Sequence, residues 1–152
     1  MLDLSIIIVN YKTPSITVDC IESIYKQNST LNFEVIVVDN DSQDNSETFV
    51  TEKFSEVIWI NNHSNEGFGR ANNIGIKKSK GEFILLLNSD TIIIDNAIQT
   101  ALSRLKSDSD NTGVITCQLL NKDGSLQKSF YTKNASFNEI LSYNLGYDFL
   151  KR

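Results

Sequence analysis

Asn88-Ser89-Asp90 closes the apolar run Phe83-Ile84-Leu85-Leu86-Leu87. A buried strand there would deliver an amide, a hydroxyl and a carboxylate at its carboxyl end, where α/β proteins place ligand chemistry. Asp90 is a hard oxygen donor that suits Mg²⁺ or Mn²⁺ rather than zinc, and a cation held there could grip the diphosphate of a nucleotide. A strand followed by an Asn/Ser/Asp turn also occurs in proteins with no ligand, so the weight must come from the rest of the chain. The stretch Gly67-Phe68-Gly69-Arg70-Ala71-Asn72-Asn73-Ile74-Gly75 turns a polar loop into a helix. Its first amides point outward unpaired and can meet phosphate or sugar oxygens. As a dinucleotide fingerprint it fails, because it does not follow a strand directly and Asn72 stands at the last glycine position.

The elements that must position these groups alternate. Leu4-Ser5-Ile6-Ile7-Ile8-Val9 is a continuous β-branched run, the pattern of a strand buried on both faces of a parallel sheet, and it ends at Asn10-Tyr11-Lys12. Thr13-Pro14 opens a helix with Ile16, Cys20, Ile21, Ile24 and Tyr25 at helical spacing. A second strand, Phe33 to Val38, stops at Asp39-Asn40-Asp41-Ser42. A short helix from Ser46 to Phe54, a strand Val57 to Ile60, a helix from Phe68 to Ser79 and the strand ending at Asn88 complete the series. Such alternation predicts a Rossmann-like, mostly parallel sheet with helices on both faces. In strand order 3-2-1-4, Asn10, Asp39 and Asn88-Ser89-Asp90 share one rim at the point where the winding reverses.

Beyond Asp90 the pattern predicts a short edge strand over Thr91 to Ile94 and an amphipathic helix from Asn96 to Lys106 capped by Asp95. A further strand from Val114 to Leu120 is expected to pair, through the turn Asn121 to Gly124, with Leu126 to Tyr131. From Ala135 onward the pattern weakens into scattered apolar side chains that want a partner surface.

The chain's 152 residues hold one domain with a core and no second full one. A formal charge of −5 argues against a nucleic-acid surface. The lysines 77, 78 and 80 read as a solvated helix end. Cys20 and Cys117 both read as reduced core thiols, too few for a disulfide or zinc framework. No apolar stretch reaches the roughly 20 residues of a membrane span, so a cytoplasmic location is the expectation.

Taken as an ordered set, Asn10-Tyr11-Lys12, Asp39-Asn40-Asp41-Ser42, Asn65 to Gly75 and Leu87-Asn88-Ser89-Asp90 resemble the family 2 glycosyltransferases of GT-A fold, and most closely their rhamnosyltransferase-like branch. The resemblance covers about the first 120 residues. It implies a nucleotide-sugar site in which Asn10 and Tyr11 line the pocket and Asp39 bonds the pyrimidine base. Arg70 and the amides around Gly67 and Gly69 would lie beside the nucleotide or its diphosphate, with Asp41, Asn73 and Ser89 also at the site. Asn88 and Asp90 match the ends of the family's Asp-any-Asp motif, where the last acid binds Mg²⁺ or Mn²⁺; the first acid is here an amide. The implied activity is inverting transfer from a UDP or dTDP sugar to a glycan or lipid-linked acceptor in surface polysaccharide synthesis.

No residue is a persuasive catalytic base, since Asp123, Glu139 and His63 all read as solvated. The expectation is therefore a nucleotide-sugar-binding domain over 1–120, with 121–152 a hairpin and the truncated start of an acceptor-side region. Such a chain would bind donor and metal yet transfer sugar poorly alone. Peripheral association with the inner face of the cell membrane and self-association through the apolar tail stay open. The alternative is a non-catalytic nucleotide-binding or interaction module. A receiver-like fold ranks last, because Asn10-Tyr11-Lys12 stands where that fold needs paired acids.

Overall fold

A computed structural model of the chain describes residues 2–27, 30–107 and 112–127. Its elements run β1 (Leu4–Asn10), α1 (Pro14–Gln27), β2 (Phe33–Asn40), α2 (Ser46–Thr51), β3 (Ile58–Asn62), α3 (Phe68–Lys78), β4 (Phe83–Asn88) and α4 (Ala97–Ser107). The four strands form one parallel sheet, as the alternating pattern predicts, in the order β3-β2-β1-β4. Parallel neighbours need crossovers, and the helices supply them on both faces.

Central strand β1 explains its own composition. Ile6, Ile7 and Ile8 are each 0% exposed, and because successive side chains alternate, one face of the strand feeds each core. Ile6 and Ile8 pack with Val35, Val37 and the α1 residues Cys20, Ile21 and Ile24. Ile7 packs on the opposite face with Ile36, Val38 and Ala71 of α3. Each such side chain contributes roughly 1.5–3 kcal/mol on burial.

Two glycines let backbone and helix come close. A Cβ on Gly75 of α3 would sit 2.5 Å from Ile7 Cγ2, and one on Gly81 would collide with the Ser5 backbone nitrogen. The Gly81 approach is sealed at the amino end of the sheet, where the Gly81 N–H donates to Ser5 Oγ at 2.8 Å and the Lys80 N–H to Glu34 Oε1 at 2.6 Å.

Several expectations are corrected. Thr91 to Ile94 forms no strand, because its backbone donors go elsewhere. The Thr91 N–H closes a turn onto the Asn88 carbonyl at 3.2 Å, and the Ile93 N–H donates to Ser23 Oγ of α1 at 2.9 Å. Asn96 rather than Asp95 stands directly before α4, and its carbonyl accepts from the Thr100 N–H at 3.0 Å. Helix α2 stops at Thr51, short of Phe54. Strand β4 is apolar from Phe83 to Leu87 yet shielded on one face only, with Ile84 42% and Leu86 48% exposed. It is an edge strand of the sheet, so among the described residues no helix covers its second face.

Contacts divide the chain into two compact units, Met1–Val114 and Ile115–Arg152. The run Val114 to Leu120, which begins at the end of the first unit, is not a strand. A single antiparallel bridge joins Leu120 to Leu126 around a turn whose Gly124 has φ +82°. A β-branched run becomes a strand only with neighbours to pack on, and Leu119, Leu120 and Leu126 are exposed. Cys117, expected in a core, is exposed too, whereas Cys20 is buried as expected. The remainder of the expected hairpin, the apolar tail and Glu139 lie outside the described residues.

Candidate functional site

Strand register builds the site. Asn10 pairs with Asp39 across β1 and β2, and Val9 with Asn88 across β1 and β4, so three strands end at one level. Asn10, Asp39 and Asn88-Ser89-Asp90 therefore share a rim at the carboxyl edge, where the order 3-2-1-4 reverses its winding.

Beneath that rim lies a buried polar network. Asn10, 0% exposed, donates through Nδ2 to Asp39 Oδ1 at 2.6 Å and to Ser42 Oγ at 3.2 Å, while its Oδ1 accepts from Thr17 at 2.8 Å and Thr13 at 3.3 Å. Asp39 also accepts from the Ser42 hydroxyl and, at 2.9 Å, from the Ser42 N–H. An ionised carboxylate offers about four acceptor positions, so Asp39 keeps one unspent. Burying these groups is tolerable because they satisfy one another. They fix the β1–α1 and β2–α2 turns, and the Lys12 N–H completes the tie by donating to Ser42 Oγ at 2.9 Å. Lys12, Asp41 and Gln43 adopt left-handed φ of 57°, 68° and 54° in these turns, so non-glycine strain gathers along this rim.

Above the network two adjoining hollows open, of about 290 and 340 Å³. The first is walled by Tyr11, Asn40, Asn65, Gly67 and Ser89. The second is walled by Ile16, Asn88, Ser89 and Asp90, and Val9, Thr13 and Phe68 border both. Of the residues singled out in the sequence, Tyr11, Gly67, Asn88, Ser89 and Asp90 meet at these hollows. Asn10 and Asp39 lie below them, and Asp41 accepts from Gln43 Nε2 at 3.1 Å in its turn. Gly69, Arg70 and Asn73 sit exposed on α3 outside both linings.

Gly67 takes φ +83° directly before α3 and its carbonyl accepts the Ala71 N–H at 3.1 Å, which leaves the first helical amides directed outward. Sequence reasoning quoted Asn40, Asn65 and Phe68 within its motifs and Thr13 as a helix opener, but gave none of the four a place at the site. An Asn two residues ahead of a helix-opening glycine, and a Phe on the first helical turn away from the apolar face, are the signals that could have found them.

The segment bearing Asp90 is pinned from below. Cys20 Sγ lies 3.6 Å from the Asn88 carbonyl, and burial, reinforced by the Asp90 charge, pushes its thiol up to about 12. That thiol is a packing group and not a nucleophile. Among the described residues no three His, Cys, Asp or Glu side chains gather as a metal cluster. The carboxylate of Asp90 with the amide and hydroxyl oxygens of Asn88 and Ser89 is nonetheless a hard-donor set. It fits Mg²⁺ or Mn²⁺, which commonly take one or two protein carboxylates and draw other ligands from phosphate and water.

Fold and rim define a doubly wound α/β protein whose polar strand ends gather at the carboxyl edge of its sheet. Residues 5–150 match the profile of Glycosyl transferase family 2, and the chain belongs to that family. It is 33% identical over 107 residues to the glycosyltransferase GlyG of Streptococcus pneumoniae, covering 68% of this chain and 35% of that protein. Over 138 residues it is 28% identical to the Escherichia coli UDP-Glc:alpha-D-GlcNAc-diphosphoundecaprenol beta-1,3-glucosyltransferase WfgD, covering 90% of this chain and 54% of that one. The chain thus spans about a third to a half of the length of these relatives. Among solved structures, S. aureus TarS 1–349 in complex with UDP-GlcNAc superposes with TM-score 0.63 at 24% identity, covering 76% of this chain and 37% of that one. The Pyrobaculum calidifontis mannosyltransferase PcManGT, in complex with GDP-Man and Mn²⁺, gives 0.62 at 20% identity, covering 67% and 32%. These likenesses establish the GT-A fold. No helix of the described residues is long and apolar enough to cross a membrane.

Proposed function

We propose that this chain is the donor-binding portion of a glycosyltransferase that takes a sugar from a UDP or dTDP donor, with Mg²⁺ or Mn²⁺, and passes it with inversion to a glycan or lipid-linked acceptor of a surface polysaccharide, at the cytoplasmic side. The observation that carries the reading is the convergence of Tyr11, Gly67 and Asn88-Ser89-Asp90 on one pair of adjoining hollows over the Asn10–Asp39 network.

Sugar transfer demands that negative charge developing on the departing diphosphate be stabilised. Asp90, with Asn88 and Ser89 beside it, would hold the cation. When bound, a divalent ion there supplies positive charge toward the diphosphate that an acidic protein lacks. The outward amides opening α3 offer the phosphates hydrogen-bond donors and the positive end of the helix dipole. Arg70, in the first turn of that helix and exposed, would extend toward the same charge. Tyr11, 43% exposed, offers a ring face to the base, and the spare acceptor position of Asp39 faces a base N–H in this reading. Asp90 is the only carboxylate in either lining among the described residues, so neither lining holds a second acid to serve as the base.

That last point favours the second reading, a nucleotide-binding module without chemistry. Calorimetric titration of UDP, dTDP and GDP with and without Mn²⁺, on the wild type and Asp90→Ala, separates the two. A working donor site gives UDP or dTDP binding that Mn²⁺ tightens, and Asp90→Ala abolishes that tightening while keeping the metal-free affinity. Nucleotide binding indifferent to Mn²⁺ in both proteins supports the module. Absence of binding under every condition overturns both.

A further inference from the structure

Asn40 ends β2 and is 3% exposed, and both ends of its carboxamide are engaged. Nδ2 donates to Asn65 Oδ1 at 2.8 Å; Oδ1 accepts from Asn62 Nδ2 at 3.0 Å and from the Glu66 N–H at 3.3 Å. Asn65 Oδ1 in turn accepts from the Gly67 N–H at 3.1 Å. A carboxamide presents a donor at one end and an acceptor at the other, and which end points where is decided by its partners. Backbone N–H groups only donate. The Glu66 amide therefore fixes the Asn40 oxygen, and the Gly67 amide fixes the Asn65 oxygen. With its oxygen held from two sides, Asn65 keeps its NH₂ end for something else, and nothing among the described residues accepts from it. Asn40, Asn65 and Gly67 all border the same hollow as Tyr11 and Ser89.

We propose that Asn40 is a positioning residue for the donor site: acting through Asn65, it holds that carboxamide so that its NH₂ end is offered to an oxygen of the bound nucleotide. The inference rests on the nucleotide reading above. It assigns to Asn40 and Asn65 one linked role, carried by the hydrogen bonds that tie the loop of asparagines to the end of β2.

The test is Asn40→Asp, alone and combined with Asn65→Ala. The aspartate keeps the size and both acceptor contacts, but sets a carboxylate oxygen against Asn65 Oδ1. Asn65 then turns its NH₂ inward and loses Gly67. UDP affinity by calorimetry should fall about fivefold or more in N40D and in N65A, and N40D should add less than about twofold in the N65A background, the signature of coupled residues. In the wild type, the Asn65 side-chain NH₂ resonances should shift on UDP addition while those of Asn40 stay in place; this holds whether or not N40D folds. The inference is overturned if N40D leaves UDP binding unchanged, if it weakens UDP by the same factor with and without the Asn65 side chain, which marks bare charge repulsion, or if the Asn40 resonances respond and those of Asn65 do not. Wild-type protein that binds no UDP, dTDP or GDP instead overturns the nucleotide reading itself.

Discussion

At the residue scale, Asn10 illustrates how a site residue can act from below the site. Its carboxamide joins Asp39, Ser42, Thr13 and Thr17, so Asn10→Ala strands several buried polar atoms at once. Each buried group left unpaired costs about 1–3 kcal/mol, and chemical denaturation of Asn10→Ala should show a loss of at least that size. A buried thiol and a half-buried phenol set a pH limit. Burial pushes the Cys20 thiol from 9.0 up to about 12, and burial with a contribution from Glu56 pushes the Tyr25 hydroxyl from 10.0 up to about 12. Both hold their protons more tightly folded than unfolded, so their contribution is complete below pH 9 and is lost as pH rises toward 12. Urea midpoints should therefore fall across that window, with a slope of up to about 1.4 kcal/mol per pH unit for each group titrating. Cys20→Ser combined with Tyr25→Phe should flatten it. Asn10, Asp39 and Asp90 were legible as polar residues punctuating apolar runs. Asn40 and Asn65 were not, because nothing in a string of asparagines says which carboxamides will face one another.

At the element scale, helix α3 is held to the sheet by the absence of a side chain. Gly75→Ala puts a methyl 2.5 Å from Ile7 Cγ2 and 3.3 Å from Val38 Cγ2, both in the interior and without room to retreat. Overpacking of this kind costs about 1–3 kcal/mol, and a thermal melt of Gly75→Ala should show it. Gly69→Ala, with nothing within 4 Å of the new methyl, should melt at or slightly above the wild type, since alanine favours the helix, and serves as the control. The same comparison shows why some elements were readable and others were not. Strands β1 and β2 carry apolar patterns that match their burial, and so does helix α1 except at Ile16, which is 44% exposed and borders the second hollow. The Thr91 to Ile94 run carries a strand pattern too, yet Ser23 of α1 takes the donor of Ile93 that a ladder would need. That competition is tertiary, and a period of apolar residues cannot express it.

At the scale of the whole molecule, every strand and helix of the described residues and both apolar clusters lie between Leu4 and Ser107. A chain ending at residue 114 should accordingly unfold cooperatively in a circular-dichroism melt, retaining its helical signal; a broad, non-cooperative melt would show that the first unit depends on the rest. The charge of −5 bears on partners at this scale: an acidic surface repels a polyanion, and a nucleotide diphosphate needs local donors or a cation to be held. By itself, the order of apolar runs and polar stops determined a parallel α/β sheet, because side-chain period and crossover handedness leave few other arrangements, and only on the condition of strand order 3-2-1-4, which the structure supplies, did it put Asp39 and Asp90 on one rim. Only the tertiary structure decided which residues reach the hollows, which sink beneath them, and that 91–94 and 114–120 are not strands. Those outcomes depend on which hydrogen-bond partner lies nearest in space, a property of packed neighbours rather than of any local run of residues.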